Sequence, residues 1–477
     1  MAKDIATAGL VDSLTQDNAV LVEVGGSIGR TTVSNLAKAM GESNLPLDLL
    51  ESVYAYGVEF TGSSPDGVRV GNSSLHKSLP LQNMMRGCLL NDNGEVVQYL
   101  NSLTWEGETR DGSKGQVMVE LPRHWRKYTA ILDDSGNYTG FRIMSSNVPL
   151  PGYVEIPKMY VSAYEATVQR STLKLASVVN STADYRGGNN NADRDGAPNS
   201  QLGRPCSALS RIKFKEYARN RGVAGMNGCG WNCYLYDAHV AIMWLFVIEY
   251  ATLNSQKAYN GEKTSEGYMQ GGLGDGVTTL KSAEWSEFSN SVPFVPCGTT
   301  DSLGNGTGTV SYTIDNTSTG GTVTKTFDVP RYRGIENPFG HIYKWVDGLN
   351  VRVSPTVENG GDGLSKVYVC SDPAKFSDTG YTGYTYIGDE TREENYVKEI
   401  IGGDRGDIMP KATGASSSTY FCDGHVTYTK NTEESLRSVR FGGYATYGAY
   451  CGFAFAYSSG APTYADAYIG SRLCFIP

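Results

Sequence analysis

Charge is sparse in this chain. Of its 477 residues only 19% are Asp, Glu, Lys or Arg, and the net charge is −9. Recognition of nucleic acid needs clustered Lys and Arg against phosphates, so no nucleic-acid partner is expected. Long apolar runs are missing as well. The most apolar stretch, Ala241–Ile248, is bounded by His239 and Glu249 and is far too short to cross a bilayer, so membrane insertion is not expected. The opening segment MAKDIATAGLVDSLTQ lacks the apolar core of a secretory signal. No HExxH, Ser/His/Asp order or paired-carboxylate motif occurs, which argues against an enzyme and leaves no catalytic residue to name. No EF-hand pattern occurs, and the oxygen-rich stretches Asp301–Asn316 and Glu358–Asp362 read as solvated turns. No cofactor and no metal ligand are therefore assigned. The nine cysteines include one close pair, Cys229 and Cys233, without the second pair a zinc site needs. Buried free thiols made in a cytosol are expected.

Glycine is abundant, at 57, and tyrosine reaches 31 against only 6 tryptophans. That balance points to loop-rich β structure rather than helical bundles. Residues 1–43 form a small N-terminal attachment segment: a strand over Ala19–Val24, a turn at Gly25-Gly26 and a short helix over Thr32–Met40. Gly25, Gly26 and Gly29 before Arg30-Thr31-Thr32 outline a phosphate loop, but its Lys is missing, and a docking segment is the better reading. Residues 44–150 form a β-rich region. Strands are predicted over Val53–Phe60, Val68–Val70 and Gly115–Leu121, with hairpin turns at Asp92-Asn93-Gly94 and Asp134-Ser135-Gly136. The isolated His76 and His124 are read as hydrogen-bonding or surface residues.

The tail, Arg440–Pro477, reads RFGGYATYGAYCGFAFAYSSGAPTYADAYIGSRLCFIP. Tyr and Ser on a Gly/Ala frame make an adaptable recognition surface, because Tyr offers wide amphipathic contact at low entropy cost. Phe453, Leu473 and Phe475 are assigned to the core. Tyr444, Tyr447, Tyr450, Phe455, Tyr457, Ser459, Tyr464, Asp466 and Tyr468 are assigned to a ligand-binding surface. Gly452–Tyr457 alternates aromatic and small residues, so one face of a strand there would be aromatic. Tyr464, Asp466 and Tyr468 are spaced by two and would share a face of a strand. Lys, Glu, Gln, Met and Trp are absent from the tail. Those five are among the residues that an AAY codon cannot reach when its adenines are replaced, whereas Tyr, Asp and Ser are one base away.

On these residues the chain resembles the variable proteins of diversity-generating retroelements, which carry a C-terminal variable region on a C-type-lectin-like fold. Ile469–Phe475 looks like that family's closing strand. From about residue 150 the chain resembles the formylglycine-generating-enzyme subtype of the fold. Met159–Ala166 looks like the entry strand, usually a Tyr-Glu-Val-Thr variant. Phe214–Gly222 looks like the first helix, and Gly230-Trp231-Asn232 leads into a long helix with Leu235, Ala238, Ile242, Leu245, Phe246 and Tyr250 at helical spacing. Arg333–Gly348 resembles the GN-x-W-E-W signature, with Gly340, Trp345 and Asp347-Gly348 retained. His341 stands where Asn is usual and Lys344 where Glu is usual. The oxidase of that subtype uses a reactive cysteine pair, and the spacing of Cys451 and Cys474 does not match it.

The resemblance implies an α+β, loop-rich C-type-lectin-like domain over residues 151–477, with inserted loops and a hairpin at 261–328 and a variable region at 440–475. It implies a phage or prophage receptor-binding protein at a virion tail or fibre tip, made in the host cytoplasm. Its partners would be a host cell-surface protein or glycan and other virion tail proteins. A homotrimer is expected, and since no heptad run is present its contacts would come from globular surfaces. Two other readings stay open: a structural virion protein, such as a collar or decoration with the Tyr-rich tail between subunits, and a bacterial lectin or adhesin outside a phage.

Overall fold

The computed structural model describes residues 19–24, 27–32, 47–222, 230–289, 293–317, 320–429 and 432–477. It is a mixed α+β structure, rich in strands arranged in several sheets. Near the N-terminus, Ala19–Val24 pairs antiparallel with a second strand, Ser27–Thr32. The expected turn at Gly25-Gly26 and most of the expected helix over Thr32–Met40 lie outside the described residues.

A five-stranded antiparallel sheet orders Val154–Ile156, His124–Leu132, Tyr138–Ser146, Ala55–Thr61 and Val68–Gly71. The expected first strand starts two residues late, because Val53 and Tyr54 close a helix, Leu47–Tyr54. Both predicted turns close hairpins: Gly94 N–H donates to Asn91 C=O and Gly136 N–H to Asp133 C=O, each at 2.9 Å.

A six-stranded sheet orders Trp231–Cys233, Leu473–Phe475, Met159–Ser162, Gln116–Leu121, Arg86–Leu90 and Val96–Tyr99. It joins strands from both sides of residue 150, since Val119 lies opposite Val161. It also pairs the entry and closing strands, with Val161 opposite Cys474. The expected closing strand is two strands. Ile469-Gly470 runs parallel to Tyr343-Lys344 in another sheet, and Leu473–Phe475 runs beside the entry strand. The break falls at Ser471-Arg472. Ser471 Oγ donates to Trp345 C=O at 2.8 Å, and the buried Arg472 guanidinium donates to Ser162 C=O at 3.1 Å and Asn337 C=O at 2.7 Å.

The helix Tyr236–Tyr250 carries apolar residues all round and is buried along its length except at Asp237, as a helix without a polar face must be. It packs on strands of both the five-stranded sheet and a nine-stranded one. The nine-stranded sheet holds the signature strand Tyr343–Val353 against Ser435–Gly442, which in turn pairs with Gly452–Gly460. Within the inserted region, Gly308–Asp315 and Thr324–Tyr332 form a hairpin, and a helix not foreseen in the sequence spans Ser282–Ser289. Trp345, Phe453, Leu473 and Phe475 are buried, as is each of the eight described cysteines, all of them free. His76 and His124 are buried and hydrogen-bonded, to Val70 C=O at 3.0 Å and Pro122 C=O at 2.9 Å.

Candidate ligand-binding surface

Three neighbouring strands set the geometry of the tail. Trp345 on the signature strand lies opposite Arg440, and Arg440 lies opposite Tyr457 on the following strand. Residues in register share a face of the sheet, so these three side chains form one row. The next row, Lys344, Phe441 and Ala456, belongs to the other face. Gly460 makes the first row possible: a Cβ there would sit 2.8 Å from the Trp345 ring.

The other face is tied by buried polar groups. Glu165, next to the entry strand, meets both residues at which the signature departs from its usual form. Lys344 Nζ lies 2.8 Å from Glu165 Oε1, and His341 Nδ1 bonds Glu165 Oε2. His341 Nε2 accepts from the backbone N–H groups of Phe294 and Val295 at 3.1 and 3.2 Å. That fixes the proton on Nδ1, which donates to Glu165. Burial would push the Glu165 carboxyl up, but Lys344 and then His341 hold it down to about 2. The signature's Asp347 forms a buried ion pair with Lys215 of the helix Arg211–Arg219, at 3.1 Å.

Above this base the tail aromatics gather around Tyr343. Its ring centroid lies 5.1 Å from Tyr444, 5.8 Å from Tyr447, 5.5 Å from Tyr457 and 6.1 Å from Tyr468. Tyr444 stacks on Tyr468 at 4.6 Å and touches Tyr447 at 5.2 Å. Tyr450 stacks on Tyr396 at 4.3 Å, where only glycine fits at 424, since a Cβ there would sit 1.8 Å from the Tyr450 ring. The tail tyrosines Tyr444, Tyr447, Tyr450, Tyr457 and Tyr468 are partly buried by one another, and Ser459 and Asp466 are partly buried too. Tyr464 is the most open, at 40% exposure.

Three expectations are corrected. Phe455 is not on the surface: it is fully buried, 5.7 Å from Tyr343 and 5.4 Å from Tyr447, as a floor beneath the tyrosines. The strand Gly452–Gly460 does not present one aromatic face. Its register slips where Phe441 and Gly442 face Ala456 and Gly452, and the bulge sends Phe453 and Phe455 into different clusters. Phe453 packs 5.2 Å from Phe246 of the long helix. Tyr464, Asp466 and Tyr468 do meet, but on a loop rather than a strand. Tyr464 Oη donates to Asp466 Oδ2 at 2.7 Å and lies 3.2 Å from Tyr468 Oη.

The sequence reading missed Arg440. Its guanidinium carbon lies 4.0 Å from the Tyr457 ring centroid, 4.8 Å from Tyr343, 5.2 Å from Trp345 and 5.4 Å from Tyr464. The residue is 2% exposed. Cation–π contacts are worth about 0.5–2 kcal/mol each, while moving a guanidinium out of water costs several kcal/mol. The rings offset much of that cost but offer its N–H groups no acceptor in their plane. The one sequence signal was a lone Arg inside the apolar run Val439–Phe441.

The tail cysteines carry no activated thiolate. Burial pushes the Cys474 thiol up to about 12, and burial followed by the Asp423 carboxylate pushes Cys451 higher still.

No protein-family model matches the chain, and no curated protein matches it. Among solved structures it is similar to the Major Tropism Determinant P3c variant, at 13% identity over 99% of this chain and 96% of that one, with a TM-score of 0.27. It is likewise similar to the Major Tropism Determinant U1 variant, at 12% identity over the same shares, with a TM-score of 0.26. At those scores the functional reading rests on the site itself.

Proposed function

We propose that this chain is the receptor-binding protein of a phage tail or fibre, and that its tail displays a diversified Tyr-rich surface to a host envelope ligand. The observation that carries the reading is the gathering of Tyr444, Tyr447, Tyr457, Tyr464 and Tyr468 into one patch with Tyr343 at its centre. Clustered, partly open tyrosines are the composition of interface hot spots. Support also comes from beneath the patch. Trp345 and the Glu165–His341–Lys344 cluster are buried and lie outside residues 440–475, so a surface built to vary stands on a base that need not. The pairing of the strands Met159–Ser162 and Leu473–Phe475 supports a C-type-lectin-like fold for residues 151–477. Residues 1–43 or the β-rich region 44–150 would attach the protein to other tail components.

The decisive observation is genetic. A near-copy of the 3′ coding segment, differing at adenines and lying beside a reverse transcriptase gene, is expected in the surrounding DNA. If neither is there, the diversification claim fails. The assembly that accompanies this reading is a homotrimer joined through globular surfaces. Sedimentation velocity at micromolar concentration checks it, and a monomer removes it.

A further inference from the structure

Resting on that reading of the tail, we propose that Arg440, with the Trp345 indole N–H beside it, forms a carboxylate-binding subsite beneath the tyrosines that takes an acidic side chain of a protein ligand.

Arg440 is a buried cation left without its counter-charge. Among the described residues no carboxylate lies within ion-pair distance of it. Its Nε and Nη1 atoms are buried and have no hydrogen-bond partner, and neither has Trp345 Nε1. These unmet groups are all donors and belong to residues directly opposite each other in register. Ser438 Oγ, two residues along the Arg440 strand, is a further buried hydroxyl without a partner. Guanidinium presents its N–H groups in a planar fork that matches a carboxylate. Rings of Tyr343 and Tyr457 close to the guanidinium leave its edge as the direction of approach.

The obvious internal candidate is engaged elsewhere. Asp466 accepts from Tyr464 Oη at 2.7 Å and from Ala467 N–H at 2.7 Å. Entry is governed by Tyr464, the most exposed ring of the cage, which sits on the loop before Ile469. Rotation of that ring breaks only its bonds to Asp466 and Tyr468. Arg440 is 2% exposed with four rings around its guanidinium, so a group that reaches it has to be slender. A carboxylate on a slender aliphatic stem, as in Glu, reaches past the rings. A sugar acid carries its carboxylate directly on a ring, which would have to enter with it.

The test uses the full chain labelled with 15N at Arg and Trp, titrated with propionate, which is the Glu side chain alone. Propionamide is the neutral control and glucuronate the sugar acid. Saturable shifts of the Arg440 Nε–H and Trp345 Nε1–H resonances with propionate are expected, with at least tenfold weaker response to propionamide. In Arg440→Gln the Trp345 response should be lost. No saturable shift with propionate, an equal response to propionamide, or a propionate response that survives Arg440→Gln would overturn the proposal. A response to glucuronate but not propionate would overturn it in favour of an acidic glycan. Because the wild-type titration needs no variant to fold, a poorly folded Arg440→Gln protein leaves the first outcomes decisive. The host-recognition reading is tested separately by cell binding of tail variants, so either can fail while the other stands.

Discussion

Each tail tyrosine divides its ring between the fold and the solvent, and the division differs from residue to residue. Tyr464 meets the fold through two exposed hydroxyl contacts and one face toward Arg440. Tyr464→Ala should change unfolding free energy by within about 0.5 kcal/mol, as for most surface changes. Tyr444 is different, because it contacts Tyr343, Tyr447, Tyr468 and Trp285. Aromatic pairs are each worth about 0.5–1.5 kcal/mol beyond area burial, so Tyr444→Ala should cost on the order of 2 kcal/mol. Phe455→Ala, with the whole side chain buried, should cost about 3–5 kcal/mol. Urea unfolding of the three variants checks the order, and equal losses at 444 and 464 would sink it. Composition made the tyrosines visible as a set. It could not rank them, because exposure depends on which rings meet: Phe455 and Tyr457, two residues apart, both pack on Tyr343, yet Phe455 is buried and Tyr457 partly open.

At the scale of elements, the motif order seen in the sequence reappears as physical contacts. The entry strand, first helix, signature and closing strand are joined by Glu165 with Lys344, Lys215 with Asp347, and Arg472 with Ser162. What the sequence hid was why His341 and Lys344 stand where they do. Both departures serve one buried carboxylate, Glu165, whose distance along the chain conceals the contact. The bulges in Gly452–Gly460 and the split of Ile469–Phe475 into two sheets were equally hidden, since a period of two carries no sign of where pairing slips. Removing one member of a buried ion pair leaves the other charge uncompensated. Lys344→Met should therefore cost about 3–5 kcal/mol. Joining it to Glu165→Gln should recover a good part of that loss, because the orphaned carboxylate goes too. A double-mutant cycle read by thermal unfolding measures the coupling, and additive losses would mean that the pair does not act as a unit.

Over the whole molecule, two sets of buried groups oppose each other as pH changes. Burial pushes His76, His124 and His425 down to about 4 and His239 down to about 3. His239 shows the reason: Nε2–H donates to Phe453 C=O at 2.7 Å and Nδ1 faces Tyr234 Oη at 3.2 Å, with Phe441 against the ring. The unfolded chain takes up protons at these histidines from about pH 6.5, while the folded chain does not, so their contribution is lost as pH falls from there towards 4. Glu336 and Glu390 are pushed by burial up to about 7 and Asp407 up to about 6. The folded chain holds those protons where the unfolded chain has released them, so their contribution is lost as pH rises from about 4.5 through 7. Each group is worth roughly 3–5 kcal/mol at its extreme, and the two sets are similar in number, so between about pH 5 and 7 they nearly cancel. Below about 4.5 the carboxylates gain nothing further, and Glu165, held at about 2, starts to lose its advantage. Stability should thus be nearly flat from pH 7 to 5 and fall steeply below 4.5. Glu390→Gln separates the sets. Its Oε1 accepts from Ser458 Oγ at 2.7 Å and Thr427 Oγ1 at 3.0 Å, bonds the amide oxygen can keep. That variant should be more stable than the parent by on the order of 3 kcal/mol at pH 8 and within about 1 kcal/mol of it at pH 5. Urea denaturation at the two pH values reads the difference directly. A gain of the same size at pH 5 would mean that the carboxylate is not protonated in the folded protein, and the cancellation would have to be abandoned.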